Sequence, residues 1–203
     1  MPKYKFSYRK CTVPFDKMRH WLQKEKELGV EQPECAVLST VTSTGTPHSR
    51  VVAIREIETD SLLFFTQKKT RKVAELLNNP SASMNFLFAI QQRQIILEGI
   101  ATPLSPEENQ QFWQTLPRER QLRFSAYAPT SGQVIQNLNQ LEKRKSDLAE
   151  QYINKPIPVS EHYCGYRLIP ESFVFYTSGL ISFSEVIKYS KEKDVWQQQL
   201  LSP

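Results

Sequence analysis

Leu62-Leu-Phe-Phe-Thr-Gln-Lys-Lys-Thr-Arg-Lys-Val-Ala-Glu-Leu-Leu77 joins an apolar run to an amphipathic stretch through a turn that carries Lys68, Lys69, Arg71 and Lys72. The run 62–65 reads as a buried strand, and the stretch through Leu77 reads as a helix whose first turn holds Arg71 and Lys72. The amino end of a helix carries free N–H groups and a partial positive charge, so cations are disfavoured there. Two cations at that point make physical sense when a phosphate shares the spot, bonded by backbone N–H groups and neutralised by the side chains. The other reading is a solvated loop and helix end.

Working outward, residues 14–29 place Phe15, Met18, Leu22 and Leu28 at near-helical spacing, with Pro14 in the first turn and Gly29 as the stop. The period then changes. Stretches 36–42 and 48–55 form a hairpin around a turn containing Gly45 and Pro47, and 62–66 is a third strand. The helix after it ends at Asn78-Asn-Pro80, and strands follow over 82–88 and 93–101. Ser105-Pro-Glu-Glu108 has the N-cap serine, proline and glutamate of a capping box. A second helical stretch runs from Pro117 to Tyr127, and a third over 134–152 with Ile135, Leu138, Leu141, Leu148 and Tyr152 as its apolar positions. The β period returns over 163–169, 172–177 and 184–189, and a turn at 190–194 leads to a last strand around Trp196. The pattern predicts one mainly β domain over 1–203, an antiparallel Greek-key-like barrel with flanking helices. Its parts are an opening helix (14–29), the barrel core (36–103), a helical insertion (105–152) and C-terminal strands (163–203).

With 203 residues, 39% hydrophobic and 23% charged, the chain can bury a substantial core. A net charge of +5, spread along the sequence, suits an anionic small molecule at least as well as nucleic acid. Cys11, Cys35 and Cys164 lack metal-ligand or redox spacing and read as reduced thiols of a cytoplasmic protein. No apolar run reaches membrane-spanning length, and the basic start Met1-Pro-Lys-Tyr-Lys lacks the apolar stretch of a secretion signal. His20, His48 and His162 are far apart, so no metal site or catalytic histidine is expected. Ser125, Ser131 and Cys164 have no recognisable base partner, and Trp113 and Trp196 read as packing anchors.

Arg50-Val-Val-Ala-Ile-Arg55, Thr66 with Thr70-Arg-Lys72, Arg93-Gln94 and the tail from Trp196 to Pro203 fall in one order at the ends of predicted strands. In that order they resemble the pyridoxamine 5'-phosphate oxidase family of FMN-binding split barrels, from Ala36 onward. Phe112-Trp113 and the stretch 118–129 resemble its FMN-binding oxidase-like sub-group in particular. The resemblance implies FMN as cofactor, a homodimer with flavin between subunits, and hydride transfer from substrate to flavin with dioxygen as acceptor. It implies that Arg71 and Lys72 bind the phosphate at the turn after Thr70, with Arg50 in support and Thr66 offering a hydroxyl. Phe65 stands where the family often has tyrosine. Val51 and Val52 would line the flavin ring, and Gln94 would reach its edge, where an amide can donate and accept. Arg55 would serve cofactor and substrate, with Phe112, Arg118 and Arg120 on the substrate side. On the residues alone, Arg50 and Arg55 can equally be solvent-side positions, and Gln94 can pair with a strand neighbour.

The departures fall on the substrate side. Where pyridoxamine phosphate oxidases carry a tryptophan, an Arg-Leu-His triplet and another arginine, this chain reads Phe175-Tyr-Thr-Ser-Gly-Leu-Ile-Ser-Phe-Ser-Glu-Val186. Arg55 replaces a lysine, Phe112 replaces a tyrosine, and the stretch 116–120 keeps Pro117-Arg118 without the full phosphate-clamping set; Arg118, Arg120 and Arg123 are available to rebuild an anion site. Pyridoxamine or pyridoxine 5'-phosphate is the leading substrate class. The alternatives are a flavin-binding reductase or carrier acting on another small molecule, and a basic nucleic-acid-binding barrel using 68–72 and Phe64-Phe65. Neither a membrane nor a nucleic-acid partner is expected.

Overall fold

The computed structural model describes residues 14–203, so Cys11 and the basic start of the chain lie outside the described residues. Its strands are β1 (Cys35–Val41), β2 (Pro47–Ile57), β3 (Leu62–Gln67), β4 (Ser81–Phe88), β5 (Arg93–Pro103), β6 (Tyr163–Thr177), β7 (Glu185–Glu192) and β8 (Val195–Leu201). All neighbouring pairs are antiparallel, in the order β3-β2-β1-β4-β5-β6-β7-β8. β3 also pairs with β6, from Leu62 opposite Leu168 to Gln67 opposite Tyr163, so the first six strands close into a barrel that β7 and β8 extend.

Alternation decides what fills the barrel. Along β5, Arg93, Ile95 and Leu97 are buried while Gln94 and Ile96 face outward. The same rule sends Leu38, Phe64, Met84, Phe86, Phe173 and Phe175 inward. Helix α1 (Pro14–Glu27) adds Phe15, Met18, Trp21 and Leu22 to that core, and Gly29 ends the turn after it at a φ of 98°. Lys193 and Asp194, with φ of 46° and 65°, make the tight β7–β8 turn, whose twist matches the strands.

The two strands predicted over 163–177 are one. Pro170, which cannot donate to a ladder, lies opposite Gly99 at a register shift, and the chain bends there instead of breaking. Only glycine fits opposite, because a Cβ at Gly99 would lie 2.1 Å from the Ile169 carbonyl oxygen.

Four further helices follow in order: α2 (Arg71–Asn78), α3 (Pro106–Thr115), α4 (Arg118–Tyr127) and α5 (Asn139–Gln151). The capping box forms at α3: Ser105 Oγ accepts from the Glu108 N–H at 3.1 Å, and the Glu108 carboxylate accepts from the Ser105 N–H at 2.8 Å. Trp113, Leu122, Phe124, Ile157 and Tyr163 build a second core between α3, α4 and the start of β6. α5 starts later than the predicted 134, and none of its residues is fully buried. Val134 and Leu138 meet no core, and spacing alone does not sustain a helix there. Among the described residues, no helix is long and apolar enough to cross a membrane.

Candidate functional site

At the turn from β3 into α2, Thr66 is buried and its hydroxyl accepts from Lys72 Nζ at 2.9 Å. Arg50, on the inner face of β2, donates to the Leu38 carbonyl at 3.4 Å, to Thr40 Oγ1 and to the Glu75 carboxylate at 3.3 Å. Burial, and then the nearby charge of Arg50, hold the Lys72 ammonium below the usual lysine range. α2 opens with no acid in its first turn and with no side-chain cap, the Thr70 hydroxyl donating back to the Gln67 carbonyl at 2.8 Å instead. Arg50 and Lys72 are thus two half-buried cations beside an open helix start, with Glu75 paired to the first of them, an arrangement chemically suited to an anion.

Beside this turn lies a cleft of about 290 Å³ walled by Val51, Val52, Arg55, Phe65, Leu116 and Tyr127, with Arg120 and Arg123 along its edge. Arg55 sits at the irregularity between Ile54 and Glu56, where the β2–β3 register slips, a device that re-aims a side chain. Phe65 stacks on Tyr163, ring centroids 5.1 Å apart, and packs against Phe112 at 4.9 Å. Gln67 Nε2 donates to the Tyr127 hydroxyl at 3.0 Å and Gln67 Oε1 accepts from Ser131 at 3.2 Å. Burial pushes the Tyr127 hydroxyl above the usual tyrosine range, while Arg123 and Arg55 pull it the other way. Burial likewise raises Tyr163, against the field of Arg55. Arg55, Arg120 and Arg123 form no ion pair among the described residues. A larger cleft of about 840 Å³ shares these arginines and adds Glu31, Glu34 and Cys35.

The structure thus gathers Arg50, Val51, Val52, Arg55, Phe65, Thr66, Thr70, Lys72 and Arg120 at one turn and the adjoining cleft. Arg71 stands exposed at the first position of α2. Phe112 lies behind Phe65. Arg118 is elsewhere: its guanidinium donates to the Tyr152 and Lys155 carbonyls at 2.7 and 2.9 Å, pinning the end of α5. Gln94 lies on the outer face of β5 between Leu87 and Tyr176, separated from β2 by β1 and β4. Three strand spacings, about 14 Å along the sheet, lie between it and the β2 wall of the cleft within one chain. The aromatics proposed for base stacking are occupied, Phe64 inside the barrel and Phe65 on Tyr163. Trp113 is an anchor, its indole N–H donating to the Ile157 carbonyl at 3.0 Å. Burial pushes the Cys164 thiol up to about 11, which keeps it inert.

Gln67, Tyr127, Tyr163 and Glu75 escaped the sequence reading. Of these, Glu75 had a signal, an acid on the same face of α2 as the core residues Val73 and Leu76.

The profile of the pyridoxamine 5'-phosphate oxidase family matches residues 22–146. The chain belongs to this family. Membership makes it an FMN-dependent oxidoreductase, the cofactor and enzyme class that the basic turn and the cleft fit. The pyridoxine/pyridoxamine 5'-phosphate oxidase of Microcystis aeruginosa is 31% identical over 191 residues, covering 94% of this chain and 88% of that protein. The enzyme of the same name from Paraburkholderia phytofirmans is 32% identical over 192 residues, covering 94% and 89%. PhzG from Burkholderia lata, solved with tetrahydrophenazine-1-carboxylic acid, has the same fold, with a TM-score of 0.85 at 24% identity over 98% of both chains. A pyridoxamine 5'-phosphate oxidase-related, FMN-binding protein from Nostoc punctiforme superposes with a TM-score of 0.77 at 19% identity, over 98% of this chain and 100% of that one.

Proposed function

We propose that this family member holds the FMN phosphate between Arg50, Lys72 and the start of α2, and oxidises a small anionic substrate in the adjoining cleft. The observation that carries this reading is the pair of half-buried cations, Arg50 and Lys72, at a helix start left uncapped. Arg71 adds charge from the solvent side, Thr66 keeps the Lys72 ammonium in place, and Val51 and Val52 offer a dry edge to a flat ring. When bound, FMN supplies the two-electron chemistry, taking hydride from a carbon that bears nitrogen or oxygen and passing the electrons to dioxygen. The chain's own task is orientation, and Arg55, Arg120 and Arg123 are the donors for an anionic end of the substrate. Pyridoxamine or pyridoxine 5'-phosphate is the leading class.

A homodimer completes this site. Val37, Val51 and Leu87 are exposed on the outer sheet face that also carries Gln94, and the Asn85 side-chain oxygen on that face is buried without a partner among the described residues. A second copy packed there covers the apolar residues and brings its own Gln94 toward the first copy's cleft. Cys35 and Cys164 are free thiols among the described residues, which supports a cytoplasmic setting.

One observation favours a second substrate class. The β6–β7 loop, where relatives carry Arg-Leu-His, exposes Leu180, Ile181 and Phe183, the last at 93%. Such a loop suits an apolar body better than a phosphate. PhzG was solved with a tricyclic carboxylic acid. Anaerobic mixing of the yellow holoprotein with pyridoxamine 5'-phosphate, pyridoxine 5'-phosphate or an apolar polycyclic acid decides between them. Bleaching of the flavin's visible absorbance by a phosphorylated vitamer supports the leading class. Bleaching by the polycycle alone supports the second, and a protein purified without flavin overturns both.

A further inference from the structure

Glu75 stands where a carboxylate ought to weaken anion binding. It lies on α2 four residues after Arg71, is only 4% exposed, and shares its neighbourhood with the two cations assigned to phosphate. Its oxygens are fully engaged. One accepts from Thr40 Oγ1 and from Arg50 Nη2 at 3.3 Å, and the other meets His48 Nδ1 at 2.6 Å. Thr40 and His48 are register partners on β1 and β2, and Arg50 faces Leu38 two positions along the same ladder. One helix carboxylate therefore gathers three donors from the mouth of one hairpin. Bonds from Thr40, His48 and Arg50 outweigh burial, the largest single influence, and hold the Glu75 carboxyl below its usual range, so the group is charged.

A buried charge that only repelled the ligand would be a liability, and its geometry shows another use. Arg50 spends three of its five N–H groups on Leu38, Thr40 and Glu75, which fixes the guanidinium plane and leaves two donors without a partner among the described residues. His48, on the other oxygen, keeps the carboxylate from turning away. We propose that Glu75 is a positioning residue, oriented by His48, which preorganises Arg50 for the flavin phosphate and so makes the site select FMN over riboflavin. This rests on the phosphate reading of Arg50 and Lys72. Preorganisation raises affinity by removing the ordering cost of a long side chain at the moment of binding.

The test titrates full-length apoprotein with FMN and with riboflavin, which differ only in the phosphate, by flavin fluorescence. The variants are Glu75→Ala, Glu75→Gln and His48→Gln, with melting curves to check folding. The wild type is expected to prefer FMN by about 100-fold or more, and Glu75→Ala to lose about tenfold for FMN with riboflavin changed less than about twofold. Glu75→Gln, which keeps one acceptor, should fall between, and His48→Gln should lose several-fold for FMN alone. Parallel losses for both flavins would assign Glu75 a merely structural role, and tighter FMN binding would show that it only repels; either overturns the proposal. A wild type that does not distinguish the flavins removes the phosphate reading, and this inference with it. Normal wild-type discrimination retained in every variant removes this inference alone. If Glu75→Ala does not fold, the two conservative variants decide.

Discussion

Lys72 Nζ donates to Thr66 Oγ1 at 2.9 Å, tying the first turn of α2 to the end of β3, while its neighbour Arg71 points into solvent. The two cations of the turn are thus unequal. Lys72 is anchored in a partly dry site, where a charge-assisted hydrogen bond is worth roughly 1.5–3 kcal/mol. Lys72→Ala is expected to weaken FMN binding by about 10- to 100-fold, and Arg71→Ala by only a few-fold. The double variant should purify without flavin yet melt cooperatively, since neither residue belongs to the core. Equilibrium dialysis and the flavin-to-protein absorbance ratio measure this. Equal losses from the two single changes would make the turn a diffuse cationic patch.

The burial of Lys72 also predicts a pH signature. Its ammonium is held below the ordinary value of 10.5, by desolvation first and by Arg50 second. Between the lowered folded value and 10.5 the unfolded chain binds more protons, so the apoprotein gains stability as pH rises through that window. FMN binding runs the other way, because the phosphate needs the ammonium form. Melting of apoprotein against pH should therefore show an alkaline gain that Lys72→Met abolishes, and FMN affinity should fall over the same range. Superimposable wild-type and Lys72→Met profiles would place the lysine in bulk water.

What was legible in the sequence was local. The capping box at Ser105, the stop at Gly29 and the strand-to-helix turn at 66–72 are written in near neighbours, and the structure reproduces them. Partners far along the chain were not legible. Arg118 reads like Arg120 in the sequence, yet its acceptors, the Tyr152 and Lys155 carbonyls, lie 34 and 37 residues away. Glu75 meets Thr40, His48 and Arg50 across 35, 27 and 25 residues, and only the crossover from β3 to β4 carries α2 over that hairpin. The break predicted near Pro170 failed for the same reason, because the glycine that accommodates the bend is Gly99 on another strand.

That separation of the arginines gives a third prediction. Among the described residues Arg123 borders the cleft without an ion pair, whereas Arg118 is spent on two backbone carbonyls. Arg123→Ala should raise KM for an anionic substrate by about tenfold with flavin content unchanged. Arg118→Ala should leave KM alone and lower stability by about 1 kcal/mol, since its bonds are exposed. Steady-state kinetics and denaturant midpoints separate the two. A raised KM in Arg118→Ala would put that residue back beside the substrate.

Two glycines on the barrel seam predict contrasting failures. A Cβ at Gly165 would lie 2.5 Å from the Phe65 ring and 2.6 Å from Leu104 Cδ1, both side-chain atoms that can move. A Cβ at Gly99 would lie 2.1 Å from the Ile169 carbonyl oxygen, at the register shift that lets β6 bend. Side chains yield more readily than backbone. Gly165→Ala is therefore expected to fold with a loss of about 1–3 kcal/mol, the usual cost of overpacking. Gly99→Ala should lose more or fail to fold, because relief requires the β5–β6 ladder to part. The Gly165 change has a functional consequence as well, since Phe65 must leave its stack on Tyr163 and the ring is a wall of the cleft. Weaker binding of both FMN and riboflavin should follow, in contrast to the phosphate-specific loss expected at Lys72. Denaturant unfolding with flavin titration measures both effects, and a Gly165→Ala protein with wild-type stability and affinity would show that Phe65 has room to retreat without opening the cleft wall.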